Sequence, residues 1–147
     1  MIEIENFLNV ALCSYLINFY ENNKDKSTPY YDRKILRLSD DTQDRVIEKA
    51  IKPKYKKLYP KHFLSNIEIV KWPIGEEMDW HDDTIHFDQT TITYLNEGYL
   101  GGRTQVEDYI IEPKTGKIIF FDSIKKHKVS RLETEIRYIL AAWFCKQ

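Results

Sequence analysis

His81, Asp83 and His127 constrain this chain more than any other feature in it. Side chains two apart on an extended strand share one face, so His81 and Asp83 project together from a strand that bends at its end. Two imidazoles and one carboxylate are the ligand set of a facial triad. Such a triad holds a metal such as non-haem Fe(II) on one side and leaves the other side open. His127 lies some forty residues further on and must arrive on a different strand. The fold therefore has to bring two distant strands within ~2 Å of one ion.

The 147 residues fit one domain, large enough for a core without staples. Ten tyrosines, seven phenylalanines and three tryptophans point to a β-rich interior. A net charge of −1 argues against a globally basic nucleic-acid binder and carries no membrane signal. Cys13 and Cys145 are too few for a disulfide framework, so both are expected to be reduced, in a cytoplasmic setting. The opening Met1-Ile2-Glu3-Ile4-Glu5-Asn6 has no basic region and apolar run, so no secretory leader is expected. No window reaches ~18 consecutive apolar residues.

Phe7, Leu8, Ala11, Leu12, Tyr15, Leu16 and Phe19 recur at spacings of three and four, which predicts a helix over 7–20. A strand is expected across 28–38. Ser39-Asp40-Asp41 reads as a helix start, with acidic groups at the positive dipole end. That helix runs through Val46, Ile47, Ala50 and Ile51 until Pro53 ends or kinks it. Lys49, Lys52, Lys54, Lys56, Lys57 and Lys61 form a basic cluster, read as a solvated helix face or as a rim for an anionic substrate. Strands follow over 63–72, 90–95, 104–111, 117–122, 128–132 and 136–144, punctuated by Pro73-Ile74-Gly75, Asn96-Glu97-Gly98, Gly101-Gly102 and Pro113-Lys114-Thr115-Gly116. Short strands at near-regular spacing suggest a sandwich or barrel.

From Trp72 to Phe144, about half the chain, the sequence resembles the Fe(II)- and 2-oxoglutarate-dependent dioxygenases of the prolyl 4-hydroxylase-like branch. The resemblance rests on Pro73-Ile74-Gly75, His81-Asp82-Asp83, Thr90 to Tyr94-Leu95-Asn96, Gly101-Gly102-Arg103-Thr104, and Pro113-Lys114-Thr115-Gly116. It continues through Ile118 to Asp122, His127, Arg137 and Trp143-Phe144, in order. It implies a mainly β (α+β) fold, a double-stranded β-helix or jelly roll with amino-terminal helices packed on the major sheet. The whole of 1–147 then forms one domain, with 1–62 as helical support and 63–147 as the jelly-roll core.

The same resemblance makes His81, Asp83 and His127 the metal ligands, and strand alternation turns Asp82, the competing carboxylate, away from His81's side. Arg137, a basic residue nine to ten positions past the second histidine, becomes the anchor for the distal carboxylate of 2-oxoglutarate, shared with Tyr94. A planar guanidinium accepts such a carboxylate with two charge-assisted bonds. An unpaired charge within Ile136 to Leu140 is otherwise costly. Arg131 sits too near His127 for that role, and His62 and His86 fall outside the register. Trp80, Trp143 and Arg103 are candidates for the substrate pocket. Implied cofactors are Fe(II), 2-oxoglutarate and O₂, with ascorbate as a candidate reductant, and the products are succinate and CO₂.

Two departures bear on the substrate. The family's Gly-Gly-Glu-Thr is Gly101-Gly102-Arg103-Thr104 here, and Phe87-Asp88-Gln89 replaces the basic residue usual after His-x-Asp. A protein or peptide side chain, prolyl first, is the substrate the resemblance implies. A nucleic-acid or small-molecule oxygenase and a non-catalytic jelly-roll binding module are the alternatives. A structural zinc site prefers four protein ligands, and the sequence offers three.

Overall fold

The computed structural model describes residues 1–39 and 42–147. A short strand β1 (Ile2–Ile4) precedes helix α1 (Val10–Asn22). The helix starts later than its apolar spacing predicts because a cap sets the boundary: Asn9 Oδ1 accepts the Leu12 N–H at 2.8 Å. Cys13, Leu16 and Tyr20 form its buried face. The region expected as one strand over 28–38 is a hairpin, β2 (Thr28–Tyr30) and β3 (Arg33–Arg37), turning through Tyr31 at φ 56°.

Of the expected helix start, Asp40 and Asp41 lie outside the described residues. Asp44 Oδ1 caps the Ile47 N–H at 2.9 Å. A wide π turn (Ile47–Ile51) then leads into helix α2 (Lys52–Leu58). Pro53 sits at the start of α2, directly after the π turn, whose wider winding accommodates a ring that donates no N–H to the preceding turn. The helical path therefore continues past it, with the change of winding just before it.

Eight more strands complete the chain: β4 (His62–Trp72), β5 (Met78–His81), β6 (Gln89–Tyr94), β7 (Thr104–Val106), β8 (Tyr109–Ile110), β9 (Ile118–Asp122), β10 (His127–Val129) and β11 (Arg137–Lys146). The strand expected over 104–111 is split into β7 and β8 by a turn at Glu107, φ 51°. A seven-stranded antiparallel sheet runs β1-β9-β6-β11-β4-β3-β2 and faces a four-stranded sheet, β5-β10-β7-β8. The architecture is a jelly roll. The first 62 residues, expected as helical support, also supply three strands of the large sheet, because the alternation of β3 buries Arg33 and Leu36 on opposite faces.

Strand parity divides the interior in two. Leu140, Ala142 and Phe144 of β11 face α1, α2 and the π turn, packing with Leu16, Ile51, Tyr55 and Ile69. Ile139 and Ala141 face the small sheet together with Val70, Trp72, Ile92 and Val129. Truncating Leu140 to alanine removes a fully buried side chain, at a cost of ~2–5 kcal/mol. The inner face of the large sheet also carries Asn66 and Glu68 on β4, Thr90 on β6, and Arg137 and Trp143 on β11. No helix among the described residues is long and apolar enough to cross a membrane.

Candidate metal centre and groove

His81 ends β5 and His127 begins β10, and the two residues are paired directly across these antiparallel strands. Their ring centroids are 4.1 Å apart. Asp83 follows the end of β5 and is held in place by its N–H, which donates to the Ser123 carbonyl at 2.9 Å. One donor atom from each of His81, Asp83 and His127 lies within 4.8 Å of the others. His127 Nε2 is 3.5 Å from Asp83 Oδ2, and His81 Nε2 is 4.0 Å from Asp83 Oδ1.

Both imidazoles are oriented the same way. His81 Nδ1 lies 2.7 Å from the Asp79 carbonyl, and His127 Nδ1 lies 3.1 Å from the Lys125 carbonyl. A carbonyl only accepts, so each Nδ1 carries the hydrogen and each Nε2 turns a lone pair to the centre. Burial pushes the His127 pKa down, against the pull of the Asp83 charge. That favours the neutral form, the one that binds metal. Asp83 Oδ2 accepts from Thr90 Oγ1 at 3.0 Å and from Trp143 Nε1 at 3.1 Å. Oδ1 has no donor among the described residues. Asp82 points elsewhere: its Oδ2 accepts from Lys126 Nζ at 2.5 Å and its Oδ1 from Thr84 Oγ1 at 2.7 Å. These contacts hold its carboxyl well below the ordinary range.

The triad opens into a groove of about 750 Å³ between the sheets. One end is closed by Arg137, which is fully buried. Its Nη2 donates to Thr104 Oγ1 at 3.1 Å, while Nε and Nη1 have no partner among the described residues. Trp72 Nε1 and the Tyr99 hydroxyl are likewise buried without a hydrogen-bond partner among the described residues. Four donor atoms on three neighbouring side chains thus lack acceptors, a state too costly to persist without something to receive them. A bound carboxylate fits that need in charge and in number of acceptor sites. Gly102 allows the close approach: at φ 61°, a β-carbon there would meet Arg137 Cδ at 3.2 Å. The Tyr94 hydroxyl donates to Thr104 Oγ1 at 2.8 Å, so Tyr94 reaches Arg137 through that shared threonine. Trp72 lies between two cations, with Arg137 4.7 Å and Arg33 4.8 Å from its ring.

Trp80 and Trp143 line the groove, Trp80 as a 44% exposed rim residue and Trp143 stacked on Phe87 at 5.2 Å. Arg103, expected in the pocket, is not there. Thr104 uses the inward position of β7, so Arg103 faces outward and pairs with Glu112. Nor does any of the Lys49–Lys61 cluster line the groove. Lys52 is buried against Glu48 at 2.6 Å, and Lys54 donates to the Phe7 carbonyl at 3.0 Å. His62 packs against Tyr59 away from the site, whereas His86 reaches the groove wall.

The family model of the 2OG-Fe(II) oxygenase superfamily matches residues 67–145. The chain belongs to that superfamily and is an oxidoreductase that uses Fe(II), 2-oxoglutarate and O₂. Its fold matches three solved prolyl hydroxylases. The viral collagen prolyl hydroxylase of Paramecium Bursaria Chlorella virus-1 shares 19% identity at TM-score 0.77, covering 99% of this chain and 95% of that one. A Pseudomonas putida prolyl-4-hydroxylase shares 18% at 0.75, covering 99% and 92%. A Trichoplax adhaerens prolyl hydroxylase, solved with a hypoxia inducible factor peptide fragment, shares 16% at 0.80, covering 99% and 83%. A sequence search of curated proteins finds no match.

Proposed function

We propose that residues 1–147 act as one catalytic unit that hydroxylates an aliphatic C–H bond of a protein or peptide side chain. One atom of O₂ enters the product hydroxyl and the other enters succinate as 2-oxoglutarate loses CO₂. The observation that carries this reading is Arg137, a buried guanidinium with two free nitrogens at the closed end of a groove that also holds the three metal donors. A purely structural metal site gives such an arginine no purpose.

His81, Asp83 and His127 would hold Fe(II), which with 2-oxoglutarate supplies the oxidising power. The protein's own part is positional. The Asp79 and Lys125 carbonyls fix the imidazole tautomers, and Thr90 and Trp143 fix the carboxylate. Arg137 and its neighbours Trp72 and Tyr99 receive the far carboxylate, which sets the length of co-substrate the groove accepts. Val70, Ile92, Ile139 and Ala141 keep the space between apolar. The prolyl hydroxylase neighbours, one with a peptide bound, support a peptide substrate, and the lysine cluster's position off the groove speaks against nucleic acid.

Succinate formation from 2-oxoglutarate, Fe(II) and O₂, assayed with peptide and oligonucleotide libraries for an added oxygen atom, tests the reading. A peptide gaining that oxygen supports it. An oxidised oligonucleotide, or no succinate under any condition, overturns it.

A further inference from the structure

The opposite end of the groove has its own chemistry. Asn66 and Glu68 extend from the same inner face of β4 as Val70 and Trp72, pairing across β11 with Trp143 and Ala141. Trp143 in turn touches Asp83, so these two residues flank the metal side of the groove. Glu68 is only 9% exposed. Its Oε2 accepts from Asn66 Nδ2 at 3.2 Å and, among the described residues, it has no other hydrogen bond and no ion pair. Asn66 Oδ1 is buried and, among the described residues, has no partner. Arg37 lies across from Glu68 in register, yet its side chain is exposed and forms no ion pair with it.

A buried carboxylate beside an orphaned amide carbonyl is a pair of acceptors in need of donors. The walls around it are the stacked Phe87 and Trp143, with Trp80 at the rim. Such walls suit an aliphatic stem or a planar cation. Among the described residues, the cations lining the groove are Arg33 and Arg137, both at the far end beside Trp72. Water alone would satisfy the acceptors, but it does not explain the aromatic walls beside them.

We propose that Glu68 and Asn66 form a specificity subsite for a cationic side chain, lysyl or arginyl, of the peptide substrate. The inference rests on the oxygenase reading and narrows its substrate. A prolyl ring within a peptide offers this subsite no donor, so the cation comes from the modified residue or a close neighbour in its sequence.

The test is peptide binding to the full chain loaded with Mn(II) and 2-oxoglutarate, without oxygen, followed by fluorescence anisotropy. Probes are one peptide scaffold with central lysine, arginine, norleucine, glutamate or proline. Lysine or arginine peptides should bind at least ~10-fold more tightly than norleucine, the ratio expected of a charge-assisted hydrogen bond. Glu68→Gln preserves shape and should collapse that ratio to near one, while Arg103→Gln, outside the groove, should retain it. Equal binding of norleucine or proline, no binding of either cationic peptide, or an undiminished ratio in Glu68→Gln overturns the proposal. Failure of the oxygenase reading would register separately, as wild-type chain that neither binds 2-oxoglutarate nor releases succinate.

Discussion

The two ends of the groove share one wall of the large sheet but are built to opposite charge. At one end Arg137 and Arg33 flank Trp72, with donors in excess. At the other, Glu68 and Asn66 present acceptors in excess. They are separated by the apolar positions Val70, Ile139 and Ile92 and spanned by one stretch of β4, roughly 13 Å from Trp72 to Glu68 at the strand rise. Burial costs both ends alike, so each unmatched set marks where a ligand makes up the loss. The donor end matches a diacid co-substrate; the acceptor end is where selectivity for the substrate resides. The triad lies on the facing sheet at the acceptor end, where Asp83 meets Thr90 and Trp143.

The largest way to break this comparison is to remove the centre both ends serve. His81→Ala, Asp83→Ala and His127→Ala should each abolish succinate release and Fe(II) binding; a variant retaining both would remove that residue from the site. At the donor end, Arg137→Gln should raise the 2-oxoglutarate KM by ~10–150-fold, the value of a lost charge-assisted pair of ~1.5–3 kcal/mol, and leave Fe(II) affinity near wild type. An unchanged KM would move the anchor elsewhere. Trp143→Phe keeps the stacking on Phe87 but deletes the N–H that orients Asp83. It should lower metal affinity by ~10-fold, measured by competitive chelation.

The smallest effect is at Glu68, and it is a gain. Burial raises its pKa in the folded chain, with the Asn66 bond and the Arg37 charge opposing that rise. A raised folded pKa means stability is full below the unfolded value and is lost as pH rises through the folded one. Glu68→Gln should therefore stabilise the ligand-free chain by ~1–2 kcal/mol near pH 7 and by nothing near pH 4, read from denaturant melts at both pH values. Equal effects at the two pH values would mean that its charge carries no penalty.

The legibility of the two ends in the sequence was as unequal as their charge. Arg137 stood out because an arginine inside an apolar strand demands a partner, and its spacing from His127 matched a family pattern. Asn66 and Glu68 sat in an ordinary alternating strand, where parity alone cannot say which face is solvent. Both faces are in fact covered, the Ile67 and Ile69 face by α1 and α2 and the Asn66 and Glu68 face by the four-stranded sheet. The same ambiguity misplaced Arg103, whose neighbour Thr104 took the inward position. Trp72 and Tyr99 carried no signal beyond bulk, since an orphaned donor is visible only in three dimensions. The start of α1 shifted because its cap, Asn9, outvoted apolar spacing. Strands β1 and β3 are short pieces that pair with β9 and β4, far along the chain, and β2 is the edge partner of β3 in a tight hairpin.

Anaerobic titration of Fe(II) and 2-oxoglutarate, watched for the weak visible charge-transfer band of the chelated keto acid, tests the convergence of the triad and Arg137 most directly. The wild-type chain should develop the band, His127→Ala should not, and Arg137→Gln should develop it only at much higher 2-oxoglutarate. A band that survives His127→Ala, or that never forms in the wild-type chain, would contradict the assignment.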